Sequence, residues 1–208
     1  MNEVRAKWRT SEAGARYAGA RWSSVARRER DPRLVAALLA RHLAPGPALL
    51  LDAPCGTGRL APVLAAHGRT VGLDVSPAML AEARRAERSG TAWLAGDVLH
   101  LPFRDGSFDA VVCCRLLHHL EPSALEQALR ELVRVSRGLV IASFWDAGSL
   151  PALRRAWLGA RPRETRRAVS RAVLSELLER CGAEVVGWKH SLRFLSRQAF
   201  VAARRRRP

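Results

Sequence analysis

Leu51-Asp52-Ala53-Pro54-Cys55-Gly56-Thr57-Gly58 lies between the apolar run Ala48–Leu51 and the helical pattern Leu60–His67. An apolar run that ends in an acid reads as a buried strand, and the glycines after it as the turn into the next helix. Gly56 and Gly58 let the backbone take turns closed to other residues and approach a ligand closely. A helix start beyond such a turn offers N–H groups without an intrahelical partner.

Working outward, strand and helix patterns alternate. Residues 12–28 and 32–44 read as helices, the second opened by Asp31 as N-cap with Pro32 in its first turn. Strands follow at 48–52, 70–74, 91–95, 110–114 and 139–143, with helices at 60–67, 77–88 and 121–135 between them. Ser76 caps the helix at 77. A helix near 170–181 then leads to two strands, near 184–189 and 198–203, with no helix between them. The expected fold is α/β, a doubly wound, mostly parallel seven-stranded sheet whose last strand pairs as an antiparallel hairpin. The organisation expected is an N-terminal helical arm or lid (1–44), one ligand-binding domain (45–203) and a basic tail (204–208).

Hydrophobic residues make up 48% of the 208, enough for a real core. The apolar runs are too short to cross a bilayer, and Met1–Arg5 lacks a signal-peptide stretch, so the expected location is the cytoplasm. Cys55, Cys113, Cys114 and Cys181 have neither disulfide-framework nor zinc spacing and read as buried free thiols. Cys113 and Cys114 should face opposite sides of a strand. No acid/histidine cluster suggests a metal. The net charge is +16, from 35 basic and 19 acidic residues, and all the basic residues but Lys7 and Lys189 are arginine. Either this is a compositional habit spread along the chain, or it serves a polyanion, an anionic membrane surface or an acidic substrate.

In doubly wound sheets, ligands bind beyond the carboxyl ends of the strands, where strand order reverses. Asp52 ends the first strand. Asp74, 22 residues on, ends the second, where a carboxylate can grip two ribose hydroxyls, and Asp97 closes the third. Three such acids favour a ligand bearing cationic, hydroxyl or amine groups over a polyphosphate.

The blocks Leu49–Leu60, Val71–Leu80, Gly96–Phe103 and Asp105–Val112 resemble, in order and spacing, four motifs of the class I S-adenosylmethionine-dependent methyltransferases, which share a Rossmann-like methyltransferase fold. They are most similar to the branch containing quinone-biosynthesis and many small-molecule enzymes (methyltransferase type 11). The likeness covers about residues 45 to 145. It implies that Gly56 and Gly58 pass beneath the methionine part of S-adenosyl-L-methionine and that Asp52 holds its amino group. Asp74 would bind the ribose, Val75 and Met79 would pack on the adenine, and Asp97 and the Val98 N–H would read the adenine edge. The Arg115 carbonyl would meet the amino group. Tyr17 and Arg21, on the arm, would close over the cofactor carboxylate. Pro54 replaces the usual first glycine of the loop, removing an N–H and implying altered loop geometry.

His118 and His119 follow the fourth strand, where an imidazole could take a proton from an acceptor. They could equally pack or cap the next helix. The acceptor expected is a small molecule, and the basic charge would suit an anionic one. The alternatives are an RNA or DNA methyltransferase, favoured by charge but lacking the Asn/Asp-Pro-Pro-aromatic motif after the fourth strand, and a non-catalytic cofactor-binding homologue. A dinucleotide fingerprint, Gly56-x-Gly58-x-x-Ala61, also fits the loop but not the blocks after it.

Overall fold

A computed structural model describes residues 25–86, 90–158, 167–190 and 196–206. In chain order its elements are α1 (Val25–His42), β1 (Ala48–Asp52), α2 (Ala61–Ala65), β2 (Gly68–Asp74), α3 (Pro77–Ala86), β3 (Ala92–Ala95) and β4 (Phe108–Cys113). A 3₁₀ turn (Leu117–His119) leads to α4 (Pro122–Val135), β5 (Ser136–Trp145), α5 (Leu150–Trp157), α6 (Arg171–Arg180), β6 (Ala183–His190) and β7 (Gln198–Arg205).

The seven strands order as β3-β2-β1-β4-β5-β7-β6. The first five are parallel, with Leu51 level with both Val71 and Val111, while β7 runs antiparallel between β5 and β6. Strand order therefore reverses between β1 and β4, and the ends of β1, β2 and β4 share one rim. This is the doubly wound, mostly parallel sheet with an antiparallel last strand.

Side-chain alternation splits the core in two. Leu51, Val111, Cys113 and Val140 join one cluster with Leu125, Leu129 and Leu132 of α4 and Leu174 and Leu178 of α6. Leu50, Ala110, Val112, Cys114 and Ile141 join the other with Val35, Leu38 and Leu39 of α1 and Leu64 of α2. Cys113 and Cys114 thus face opposite sides. All four cysteines are free, three of them buried and Cys181 half-buried.

Two local expectations are corrected. No helix starts at Asp31; α1 runs through it, with Pro32 inside. The Asp31 side chain is fully buried and engaged by arginines, so it is not free to cap a helix. The expected basic tail begins inside β7, where Arg204 donates to the His42 carbonyl and Arg205 to those of Arg134 and Ser136.

Arg134 fixes the long connection from β3 to β4. It donates to the Leu101 and Phe103 carbonyls and pairs with Asp105 and Glu131, while Glu131 accepts the Leu101 N–H at 2.7 Å. These bonds hold the Glu131 carboxyl below the usual range, the Arg134 hydrogen bond contributing most. Asp109 ties β4 to β1 by accepting the Leu49 N–H at 2.8 Å and pairing with Arg137.

Candidate functional site

The loops after β1, β2 and β4 enclose a cleft whose wall includes Asp52, Gly56, Asp74, Met79, Arg115 and His119. Its empty volume, open mouth included, is about 790 Å³.

The loop is built as two consecutive turns. Gly58 N–H donates to the Cys55 carbonyl, and Ala61 N–H to that of Gly58. Both glycines have positive φ, +55° at Gly56 and +76° at Gly58. A Cβ at Gly56 would meet nothing within 4 Å, whereas one at Gly58 would lie 2.7 Å from the Trp93 ring. Gly56 therefore borders open space and Gly58 is packed.

Asp74 is nearly buried and oriented by backbone. Its Oδ2 accepts the Gly56 N–H at 2.8 Å and its Oδ1 the Ser76 N–H at 2.9 Å. Each oxygen keeps a further lone pair for a hydroxyl donor. Burial raises its pKa, against the lowering effect of these amides. Ser76 also receives the Met79 N–H, capping α3 as expected.

Asp52 is only 2% exposed, and its Oδ1 has no hydrogen-bond partner. Burial drives its pKa well above the ordinary value, with Arg59 acting the other way and Asp74 adding to the rise. A carboxylate left with empty lone pairs inside a cleft is costly unless a donor completes it. An ammonium group has the matching chemistry. Beside it, the Cys55 thiol is also pushed up, mainly by burial and then by Asp52 and Asp74, so it is held as a neutral thiol rather than a nucleophilic thiolate.

Arg115 stands at φ +61°, the sole non-glycine with positive φ among the described residues. Its N–H donates to Ser143 Oγ at 2.7 Å and its Nε to Asp31 Oδ2 at 2.6 Å. Left-handed backbone in a non-glycine residue persists only where surroundings impose it, and such residues gather at functional sites.

Of the residues singled out in the sequence, the cleft wall brings together Asp52, Pro54, Gly56, Asp74, Val75, Met79, Arg115 and His119. Gly58 backs the loop, packed on Trp93. Asp97 uses its Oδ1 on the Leu99 N–H, and neither it nor the buried Val98 is part of the wall. Tyr17 and Arg21 lie outside the described residues. The two histidines part company. His119 lines the cleft, while His118 is buried and stacks on the Trp145 ring, centroids 4.6 Å apart and 5° from parallel.

Sequence reasoning missed Arg59, Cys114 and Leu116 on the wall, and Asp31 behind it. Arg59 directly follows Gly58, so its place at the helix start was a usable signal. Asp31 offered none, because its partners Arg59 and Arg115 are remote in sequence.

Comparison with known proteins agrees with this geometry. Residues 50–138 match the family of methyltransferase domains. Over 123 residues the chain is 42% identical to a malonyl-[acyl-carrier protein] O-methyltransferase of Erwinia pyrifoliae, covering 57% of this chain and 46% of that protein. Over 99 residues it is 41% identical to a demethylmenaquinone methyltransferase of Beutenbergia cavernae, covering 46% and 40%. The chain thus spans about half the length of the curated relatives it matches. The fold of magnesium protoporphyrin IX methyltransferase from Synechocystis PCC 6803, solved with bound SAH, superposes at a TM-score of 0.77 with 20% identity, covering 98% of each chain. The glycine loop, the strand-end acids and these matches agree: residues 50–138 are similar to methyltransferase domains, and the chain has the fold of a solved methyltransferase.

Proposed function

We propose that this chain transfers the methyl group of S-adenosyl-L-methionine to an oxygen, nitrogen or carbon nucleophile of a small molecule. The observation that carries this is the buried Asp52 Oδ1, without a partner, on the same wall as Asp74. When bound, the cofactor supplies a methyl group activated on a sulfonium. Asp52 would accept from its ammonium group, and the Arg115 carbonyl would turn to the same group. Asp74 would hold the ribose hydroxyls, with the Gly56 and Ser76 amides keeping it in place. Val75 and Met79 would pack on the adenine, with Asp97 and the Val98 N–H at its edge, while Gly56 and Gly58 let the chain pass beneath the methionine part.

Rate then comes from alignment of nucleophile and methyl group in a site closed to water. Tyr17 and Arg21, on the arm of residues 1–44, would supply the closing lid. His119 is the better-placed base for an acceptor that arrives protonated, and His118 would position it from behind, their ring centroids being 4.2 Å apart. The relatives named for malonyl-[acyl-carrier protein] and demethylmenaquinone support a metabolic acceptor over RNA or DNA, and the arginine content suits an anionic one. The proposed location is the cytoplasm.

Calorimetric titration with S-adenosylmethionine and S-adenosylhomocysteine tests this. Both should bind, and Asp74→Ala should weaken each by at least roughly tenfold, the worth of one or two bonds to a charged acceptor. No heat, or no effect of the substitution, overturns the reading. Labelled cofactor should mark a metabolite extract and not total RNA.

A further inference from the structure

Helix α5 presents its apolar side to solvent. Leu150, Leu153 and Trp157 recur at i, i+3 and i+7, on one face of a helix, and are 55%, 52% and 87% exposed. Leu158 continues the patch at 58%. In α4 and α6, by contrast, leucines at such spacing are buried in the core.

The stripe is firmly placed. Buried Asp146 accepts the Gly148 N–H at 2.9 Å and pairs with Arg171, and Ser149 Oγ donates to the Asp146 carbonyl, fixing the start of α5 to the end of β5. The carboxyl end of β5 lies on the same rim as the cleft, and its Trp145 carries the stacked His118. The sequence from α5 onward is also strongly basic, residues 154–171 holding seven arginines against one glutamate, with Arg167 and Arg171 paired to Glu121 and Asp146. Arg154, beside the stripe, is exposed.

We infer that α5 docks on the surface of an anionic lipid bilayer, Leu150, Leu153 and Trp157 entering the headgroup boundary while the flanking arginines engage lipid phosphates. Charge complementarity favours this occupant. Lipid headgroups reward the arginines, the acyl boundary takes the leucines, and tryptophan prefers that interface. Arginine stems lie along apolar surface with their charged ends at phosphate. A nucleic acid would satisfy the arginines alone and leave three leucines in water.

Co-sedimentation of the whole protein with phosphatidylcholine vesicles and with mixed phosphatidylcholine–phosphatidylglycerol vesicles tests the inference, independently of any methyl transfer. The protein should bind the mixed vesicles and only weakly the neutral ones. Leu153→Ser with Trp157→Ser leaves the charge unchanged and should cut partitioning into mixed vesicles by roughly tenfold or more. Leu150→Ser with Leu153→Ser should act in the same direction, and a thermal melt of each variant checks that it stays folded, the replaced side chains being at least half exposed. Failure to bind mixed vesicles overturns the inference. So does equal partitioning of the parent and both variants, which would reduce the effect to charge; equal binding of all three to polyuridylate would then mark a nucleic-acid surface.

Discussion

Two buried carboxylates have Arg59 as a charged neighbour and differ in how they are completed. Asp31, fully buried in α1, receives Arg115 Nε at 2.6 Å, Gln198 Nε2 at 3.2 Å and pairs with Arg59 at 3.5 Å. Asp52, almost as buried, has an oxygen with no partner. A carboxylate whose lone pairs are filled by the protein is part of the frame. One left short of donors marks where the protein expects a donor from outside. The difference separates wall from binding position, although both residues are acids beside the same arginine.

The comparison breaks most directly at Asp31. Asp31→Ala removes a carboxylate shared by two arginines that are each only 22% exposed, and takes an acceptor from Gln198. Removing one partner of a buried pair costs about 3–5 kcal/mol, so Tm should fall by roughly 10 °C or more in a chain of this size. Asp31→Asn keeps an acceptor for Gln198 and should lose less. An unchanged melting curve for the alanine variant would show that Asp31 is not part of the frame.

The same contrast recurs between the two loop glycines, on a smaller scale. Alanine at Gly56 meets only the left-handed backbone, about 1–2 kcal/mol. At Gly58 it meets that strain and the Trp93 ring at 2.7 Å, with Ala83 Cβ at 3.3 Å. Chemical denaturation should therefore rank Gly58→Ala as the more destabilising by about 1 kcal/mol or more. Gly56→Ala should instead show its larger loss in cofactor affinity, since its missing side chain faces open space. Reversal of that order would mean the packed and open roles are assigned the wrong way round.

What the sequence made legible follows the same division. Asp52, Asp74 and the glycines announce themselves because a strand end, a turn and a helix start are local patterns, and the parallel sheet follows from their alternation. Asp31 reads as an N-cap because Asp-Pro is a local helix-start signal, and nothing nearby reveals an arginine 84 residues away. The tertiary ion pair overrode the propensity, and α1 continued through Pro32. Likewise His118 and His119 are equivalent as a dipeptide. The 3₁₀ turn separates them, sending one to the cleft and the other onto Trp145.

The smallest effect is the most discriminating, because Asp31→Ala and Gly58→Ala only destabilise whereas Asp52→Asn should stabilise. Asp52 has a raised pKa in the folded chain, chiefly from burial. Between its unfolded and folded pKa values the native state holds the extra proton. Stability is therefore fully present below the unfolded pKa and declines as pH rises through the folded one. Asparagine removes the ionisation, so the ligand-free variant should unfold later than the parent at alkaline pH, by about 1 kcal/mol. The two should converge as the solution is acidified. Asp74, also raised by burial, leaves a residual slope in both proteins. Affinity for S-adenosylmethionine should move the other way. In the parent it should weaken on acidification at a higher pH than an ordinary carboxylate would allow, as Asp52 gains its proton and ceases to attract an ammonium. In Asp52→Asn it should be weaker throughout and flatter with pH. A variant that is less stable than the parent at alkaline pH would place Asp52 with Asp31 in the frame, and the cleft would lose the feature that distinguishes it.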